Sequence, residues 1–175
     1  SIFDRPTYEI IYKPEMALLC PSGQGMEEWA REASRIDPAL AERCVAEGKC
    51  GGCVAKYRLE LLNTGLRPQP QTVVRLQLPG KIDYEHFSVL PVFLDFDNAP
   101  RNVQVRQREG VLSYALGPLR PTDSVVLRFS RYVQPGQAAA WPEVLKEVAV
   151  ARGEAVVGEP KLTLLSRILF SVFNW

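Results

Sequence analysis

Histidine is nearly missing from this chain. His86 is the only one among 175 residues, which excludes His-rich metal centres and catalysis by a histidine pair. An excess of either charge is missing too. The 21 basic residues face 20 acidic ones, for a net charge of +1, so the chain lacks the basic surplus of a general nucleic-acid binder. No apolar run reaches the roughly 18 residues of a membrane span. The sequence holds no Gly-x-Ser-x-Gly elbow, so Ser124 and Ser130 have no local reason for activation and His86 makes no triad. Ser22-Gly-Gln-Gly25 is not followed by Gly-Lys-Ser/Thr, so it is a helix start and not a phosphate loop. The chain opens on Ser1 without a signal peptide, as a processed chain or a piece of a larger protein would.

What is present describes a globular domain. At 46% hydrophobic and 23% charged, the chain can bury a core, and disorder does not suit it. Residues 7–13 (Thr-Tyr-Glu-Ile-Ile-Tyr-Lys) are β-branched and aromatic and read as a strand that Pro14 stops. A second short stretch runs from Met16 to Leu19. Residues 21–49 change character: Met26, Trp29, Ala33 and Ile36 recur at helical spacing, with Glu27 and Arg31 as an i,i+4 pair. Asp37-Pro38 then reads as an N-cap with proline at the first helical position, opening a second helix that runs to about Glu47 with Gly48 as its cap.

From residue 54 the pattern is β. Tyr57, Leu59 and Leu61 alternate with Lys56, Arg58 and Glu60; after the turn Asn63-Thr64-Gly65, Val74, Leu76 and Leu78 alternate with Arg75 and Gln77. Further strands are expected at 88–96, 102–108, 111–116, 124–133 and 147–151. Short alternating strands punctuated about every ten residues indicate an antiparallel sandwich or barrel. Residues 152–160 read as a connection. In the tail, Leu162, Leu165, Leu169 and Val172 share one helical face, which packs on the domain, docks on a partner or lies at a membrane surface; Arg167 opposes a transmembrane reading.

Cys20, Cys44, Cys50 and Cys53 flank the helical pair, and no cysteine follows. Two disulfides stapling the hairpin to the first long strand are the leading reading, with the pairing open. A bridge between Cys20 and Cys44, for example, would close a loop of about 25 residues, worth about 3 kcal/mol in the chain-entropy picture. Disulfides place the chain in an oxidising compartment. The alternative is a zinc site with all four cysteines as ligands, since Cys50-Gly-Gly-Cys53 has the spacing of a zinc knuckle. A redox-active pair is disfavoured because the motif follows a helix end, away from the dipole that activates a thiol.

The stretches Leu59-Glu-Leu-Leu-Asn-Thr-Gly65 and Val73-Val-Arg-Leu-Gln-Leu-Pro79 resemble the early strands of bacterial cell-envelope Ig-like modules. Leu116-Gly-Pro-Leu-Arg-Pro-Thr-Asp-Ser-Val-Val-Leu-Arg-Phe129 is similar to their later signature, although Pro121-Thr122 stands where such modules usually carry Pro-Gly. The resemblance covers about 55–135. It implies an envelope module acting as a spacer or adhesive surface, and it transfers no active site.

The expected fold class is therefore mainly β: an Ig-like antiparallel β-sandwich over residues 1–160, with a cysteine-stapled αα hairpin inserted at 21–49 and a C-terminal amphipathic helix at 161–175. The expected function is that of a non-catalytic, periplasmic or extracellular domain of a larger bacterial envelope protein, membrane-associated through its parent chain or tail. It would bind a protein partner or a second copy and no nucleic acid. Met26, Trp29, Arg31 and Arg35 on the hairpin are the candidate contacts. No cofactor is expected; the alternative, a zinc-stabilised module of an intracellular assembly, uses Cys20, Cys44, Cys50 and Cys53 as ligands. Asp95 and Asp97 share a strand end and offer a weaker calcium or acid/base reading. Arg101, Arg106, Arg108, Arg120, Arg128 and Arg131 offer a basic face. Trp141 and Trp175 sit in loop or tail positions.

Overall fold

A computed structural model describes residues 6–47, 51–77, 88–94, 104–108, 111–133, 140 and 144–161. The described residues form nine strands and two helices in two sheets. The first sheet has the order β4-β7-β2-β1-β9, built from β1 (Glu9–Leu19), β2 (Cys53–Asn63), β4 (Ser88–Leu94), β7 (Ser124–Val133) and β9 (Glu154–Val157). The second has the order β5-β6-β3-β8, built from β3 (Thr72–Gln77), β5 (Gln104–Arg108), β6 (Val111–Ala115) and β8 (Leu145–Val150). All pairings are antiparallel except β1 with β9.

The alternation in β2 decides which face is buried. Ala55, Tyr57, Leu59 and Leu61 turn inward and are essentially buried, while Lys56, Arg58 and Glu60 turn out. From the other sheet Val74, Leu76, Leu112 and Tyr114 meet them in one cluster, joined by Val125, Leu127 and Phe129 of β7. Tyr57 and Phe129 stack with ring centroids 4.6 Å apart. Side chains two residues apart must share a face, so a single slip of register would put this whole set in water.

Three expectations about boundaries change. Pro14 does not stop the first strand: β1 runs through it to Leu19. β9 accompanies β1 only from Glu9 to Tyr12, so among the described residues Pro14 sits where the outer side of β1 is an edge, a place where a missing N–H is tolerated. Residues 154–157 are a strand and not a connection. Arg152, in the bend before it, donates its backbone N–H to Gln69 Oε1, and Gln69 Nε2 donates back to the Arg152 carbonyl. That exchange across the fold is invisible in local sequence. The β8 strand begins two residues earlier than its alternation suggested. The proposed C-terminal helix, His86, Asp95, Asp97, Arg101, Trp141 and Trp175 lie outside the described residues.

The segment Leu116–Thr122 carries the chain from the second sheet to the first. Leu119 is fully buried and bridges Gln69. Thr122 has φ +73°, the left-handed region that a β-branched residue enters only at a cost. Its hydroxyl is buried without a hydrogen bond among the described residues. Its backbone is therefore one that glycine adopts freely. The turn is held in spite of this by neighbouring bonds: Thr122 N–H to the Asn63 carbonyl at 2.9 Å, and Arg120 N–H to Asp123 Oδ2 at 2.7 Å.

Candidate functional site

The helical pair emerges between β1 and β2 and folds back onto the outer face of the first sheet. Helix α1 spans Met26–Ile36 and α2 spans Pro38–Glu47. Asp37 joins them as expected, its Oδ1 accepting the Ala39 N–H at 3.0 Å, with Pro38 filling the first helical position. Glu27 and Glu28 occupy the first turn of α1 and Arg35 the last, both favourable to the helix dipole. Trp29, Ala33 and Ile36 form a second core with Cys44 of α2 and Val54 of β2, flanked by Leu19 and Tyr132.

A disulfide closes the base of this insertion. Cys20 follows the last residue of β1, and Cys53 opens β2. Because Leu19 pairs with Val54, the two cysteines fall opposite one another across the ladder and bond at a Cα–Cα distance of 4.3 Å. The bridge spans 33 residues of sequence, a loop for which the chain-entropy picture gives about 3–4 kcal/mol. Cys44 is also disulfide-bonded and is buried in the hairpin core, so none of the described cysteines is free. Cys50 lies outside the described residues. A Cys20–Cys44 bridge therefore does not form; the register of β1 on β2 delivers Cys53 to Cys20 instead. The Cys50-Gly-Gly-Cys53 segment is not a closed redox pair, since Cys53 is bonded elsewhere. Its Gly52 has φ +78°, and a Cβ there would run into the Tyr132 ring. The glycine answers to chain path and packing.

Between α1 and the sheet lies a groove of about 410 Å³, lined by Glu15, Glu28, Glu32, Arg35, Lys56, Arg58 and Arg128 among others. Its charges are largely interlocked. Glu32 is buried to 6% exposure and contacts both Arg35 at 3.4 Å and Lys56 at 3.5 Å. Arg58 reaches Glu15 at 3.3 Å and Glu60 at 3.0 Å. Lys13 bridges Glu15 at 3.1 Å and Glu159 at 2.8 Å. The hydrogen bond from Lys13 holds the Glu15 carboxyl below its ordinary range, and Glu159 and Glu15 hold the Lys13 ammonium above its own. Arg128 lies directly opposite Arg58 across the ladder and has no ion pair among the described residues.

The four hairpin residues singled out from sequence separate here. Trp29 is 1% exposed and cannot meet a partner: it anchors the hairpin to the sheet, because positions 29, 33 and 36 share the apolar face. Met26, Arg31 and Arg35 are exposed, and Arg35 lines the groove. Glu32, three residues from Trp29, shares the buried face, but a glutamate at that spacing carries no apolar signal in the sequence. The arginines also scatter. Arg120 pairs with Asp123 at 3.5 Å. Arg131 is buried and donates to Tyr57 Oη at 3.1 Å. Arg128 faces the groove, while Arg106 and Arg108 lie on the second sheet. They do not make one basic face. Among the described residues no group of three or more acidic, histidine or cysteine side chains is arranged to hold a metal ion, and no helix is long and apolar enough to cross a membrane.

No protein-family model matches the chain, and no curated protein does. Among solved structures it is similar to part of a GH20 exo β-N-acetylglucosaminidase from Vibrio harveyi, seen as an inactive mutant and as a complex with N-acetylglucosamine. The TM-scores are 0.41 and 0.40 at 12% identity, covering 85% of this chain and 18% of those chains. The chain spans under a fifth of those enzymes, and at this level the likeness assigns neither family nor activity.

Proposed function

We propose that this chain is a non-catalytic, extracytoplasmic interaction domain of a larger bacterial envelope protein, an Ig-like sandwich that binds a protein partner or a second copy through its stapled hairpin. The observation that carries the reading is the Cys20–Cys53 bridge at the foot of the hairpin. A disulfide persists in an oxidising compartment, and this one fixes a helical insertion on a sheet that already has its own core. A hairpin held rigidly on the sheet with Met26, Arg31 and Arg35 exposed is what partner recognition asks of a scaffold.

The adjoining edge supports the same use. Beyond Tyr12 no strand pairs with the outer side of β1 among the described residues. Along that stretch Met16 and Leu18 are 38% and 50% exposed. An open strand edge beside exposed apolar side chains suits a partner that adds a strand of its own.

The zinc alternative needs Cys20 and Cys53 as thiolates, which a closed bridge denies it. Mass spectrometry under denaturing, non-reducing conditions, with a zinc assay on the native sample, separates the two. All four thiols protected and no zinc is the expected result; four free thiols with one zinc per chain would overturn both compartment and function. For the surface itself, a photo-crosslinking residue at Arg31 or Met16 is expected to give discrete adducts or dimers, and one at Leu66 none. Equal labelling from all three positions would remove the hairpin from the proposal.

A further inference from the structure

The outer face of the second sheet is hollowed into a trough of about 800 Å³. Its floor follows from register. Arg106 of β5 pairs with Ser113 of β6, Ser113 with Arg75 of β3, and Arg75 with Glu147 of β8. One row therefore reads Arg106, Ser113, Arg75, Glu147. The next row reads Arg108, Val111, Gln77. A break in register between Arg75 and Leu76 leaves one extra residue on β8, a bulge that turns the exposed Lys146 to the same side as Glu147. With strands about 4.8 Å apart and residues two apart about 7 Å along a strand, the arginine backbones stand about 7–12 Å from one another.

Four cations thus line one trough, and only Arg75 is neutralised, by Glu147. Arg106, Arg108 and Lys146 have no ion pair among the described residues. Like charges gathered on one sheet face oppose folding, and a bound anion would relieve them. The other linings narrow its chemistry. Ser113 and Gln77 offer hydrogen bonds to hydroxyls. No aromatic side chain lines the trough among the described residues, so nucleobases find no stacking platform. Its apolar lining is Val73, Val111 and Ala115, small and half-buried, so the face lacks the large apolar anchors of a protein interface or a bilayer-seeking surface. A hollow also admits an extended chain better than a flat membrane.

We propose that this trough binds an acidic polysaccharide, a linear chain carrying a carboxylate or sulfate on its sugars, across Arg106, Arg108, Arg75 and Lys146. The site is separate from the hairpin and needs nothing from it. Glu147 acts against binding by holding Arg75.

The test titrates the whole chain with alginate, a linear polyuronate, alongside neutral dextran, an oligothymidylate and phosphatidylglycerol vesicles. Alginate is expected to bind and dextran not. With about three charge contacts, affinity should fall roughly ten- to twenty-fold between 50 and 200 mM salt. The triple variant Arg106→Gln, Arg108→Gln, Lys146→Gln should lose at least ten-fold. Glu147→Gln, which frees Arg75, should gain several-fold, a change that a damaged fold would not produce. A control of equal charge change, Arg43→Gln, Arg67→Gln, Lys161→Gln, should stay within two-fold of the parent. The proposal is overturned if alginate does not bind, if the control loses as much as the trough variant, if Glu147→Gln weakens binding, or if the oligonucleotide or the vesicles bind more tightly than alginate.

Discussion

On the outer face of the first sheet, Lys13, Glu15, Arg58 and Glu60 interlock, and Lys56 reaches up to Glu28 and Glu32 of α1. On the outer face of the second sheet, three of four lining cations stand without a carboxylate among the described residues. The two faces are built from the same alternating strands, so strand formation does not explain the difference. The first face has been covered: an insertion of some thirty residues supplies it with an apolar core and with counter-charges. The second carries no such insertion among the described residues. Opposite charges arranged beneath a helix hold an element in place, whereas like charges lining a hollow await something from outside.

The comparison can be broken most forcefully at the hairpin. Trp29→Ala should cost about 3–5 kcal/mol if the hairpin folds with the sheet as one unit, read as a lower midpoint in urea. Loss of protease resistance confined to 21–47, with an unchanged midpoint, would show that the covered face does not depend on its cover. Replacing the staple, with Cys20→Ser and Cys53→Ser together, should cost about 3 kcal/mol, while the inter-sheet core keeps its near-ultraviolet signature. Thr122→Gly touches neither face. It removes a left-handed β-branched residue and an orphaned hydroxyl, and should raise stability by about 1 kcal/mol with no change in alginate titration.

Smaller changes contrast the faces directly. Arg58→Gln removes ion pairs and should destabilise by about 0.5 kcal/mol at low salt. Arg106→Gln relieves repulsion and should stabilise by a similar or smaller amount. Both effects should shrink in 0.5 M salt; the same sign for both would refute the contrast. The smallest effect is expected from pH. Glu15 has a lowered pKa in the folded chain, so its contribution is present above its unfolded value and is lost as the medium is acidified through the folded one. Glu15→Gln should slightly flatten the acid limb of a stability–pH profile. A variant profile that parallels the parent's would remove Glu15 from the account.

Much of this was readable along the chain. The alternation in 56–61 and 74–77 set strand and inward face, because a side chain on a strand has two directions and only one is dry; 124–133 was legible as a strand, but Val125, Val126 and Leu127 are buried in succession there, so its inward face was not. Asp37-Pro38 announced the start of α2, because capping is local chemistry. The stripe at 26, 29, 33 and 36 announced an apolar helix face, of which Met26 is exposed and the other three are buried, but not what it would pack against. Local spacing therefore leaves Trp29 a candidate partner contact and gives no sign that Glu32, three positions on, is buried. Pro14 looked like a stop because its tolerance depends on whether a neighbouring strand is present, and β9 comes from the far end of the described chain.

The sequence by itself determined that this is a mainly β chain with a short helical insertion flanked by cysteines, since those features arise from interactions between near neighbours. Only the tertiary structure decided which cysteine meets Cys20, which arginines stand together and which of the two sheets is covered. Each of these depends on strand register and sheet order, and therefore on contacts between residues far apart in the chain, whose pairing no local pattern encodes.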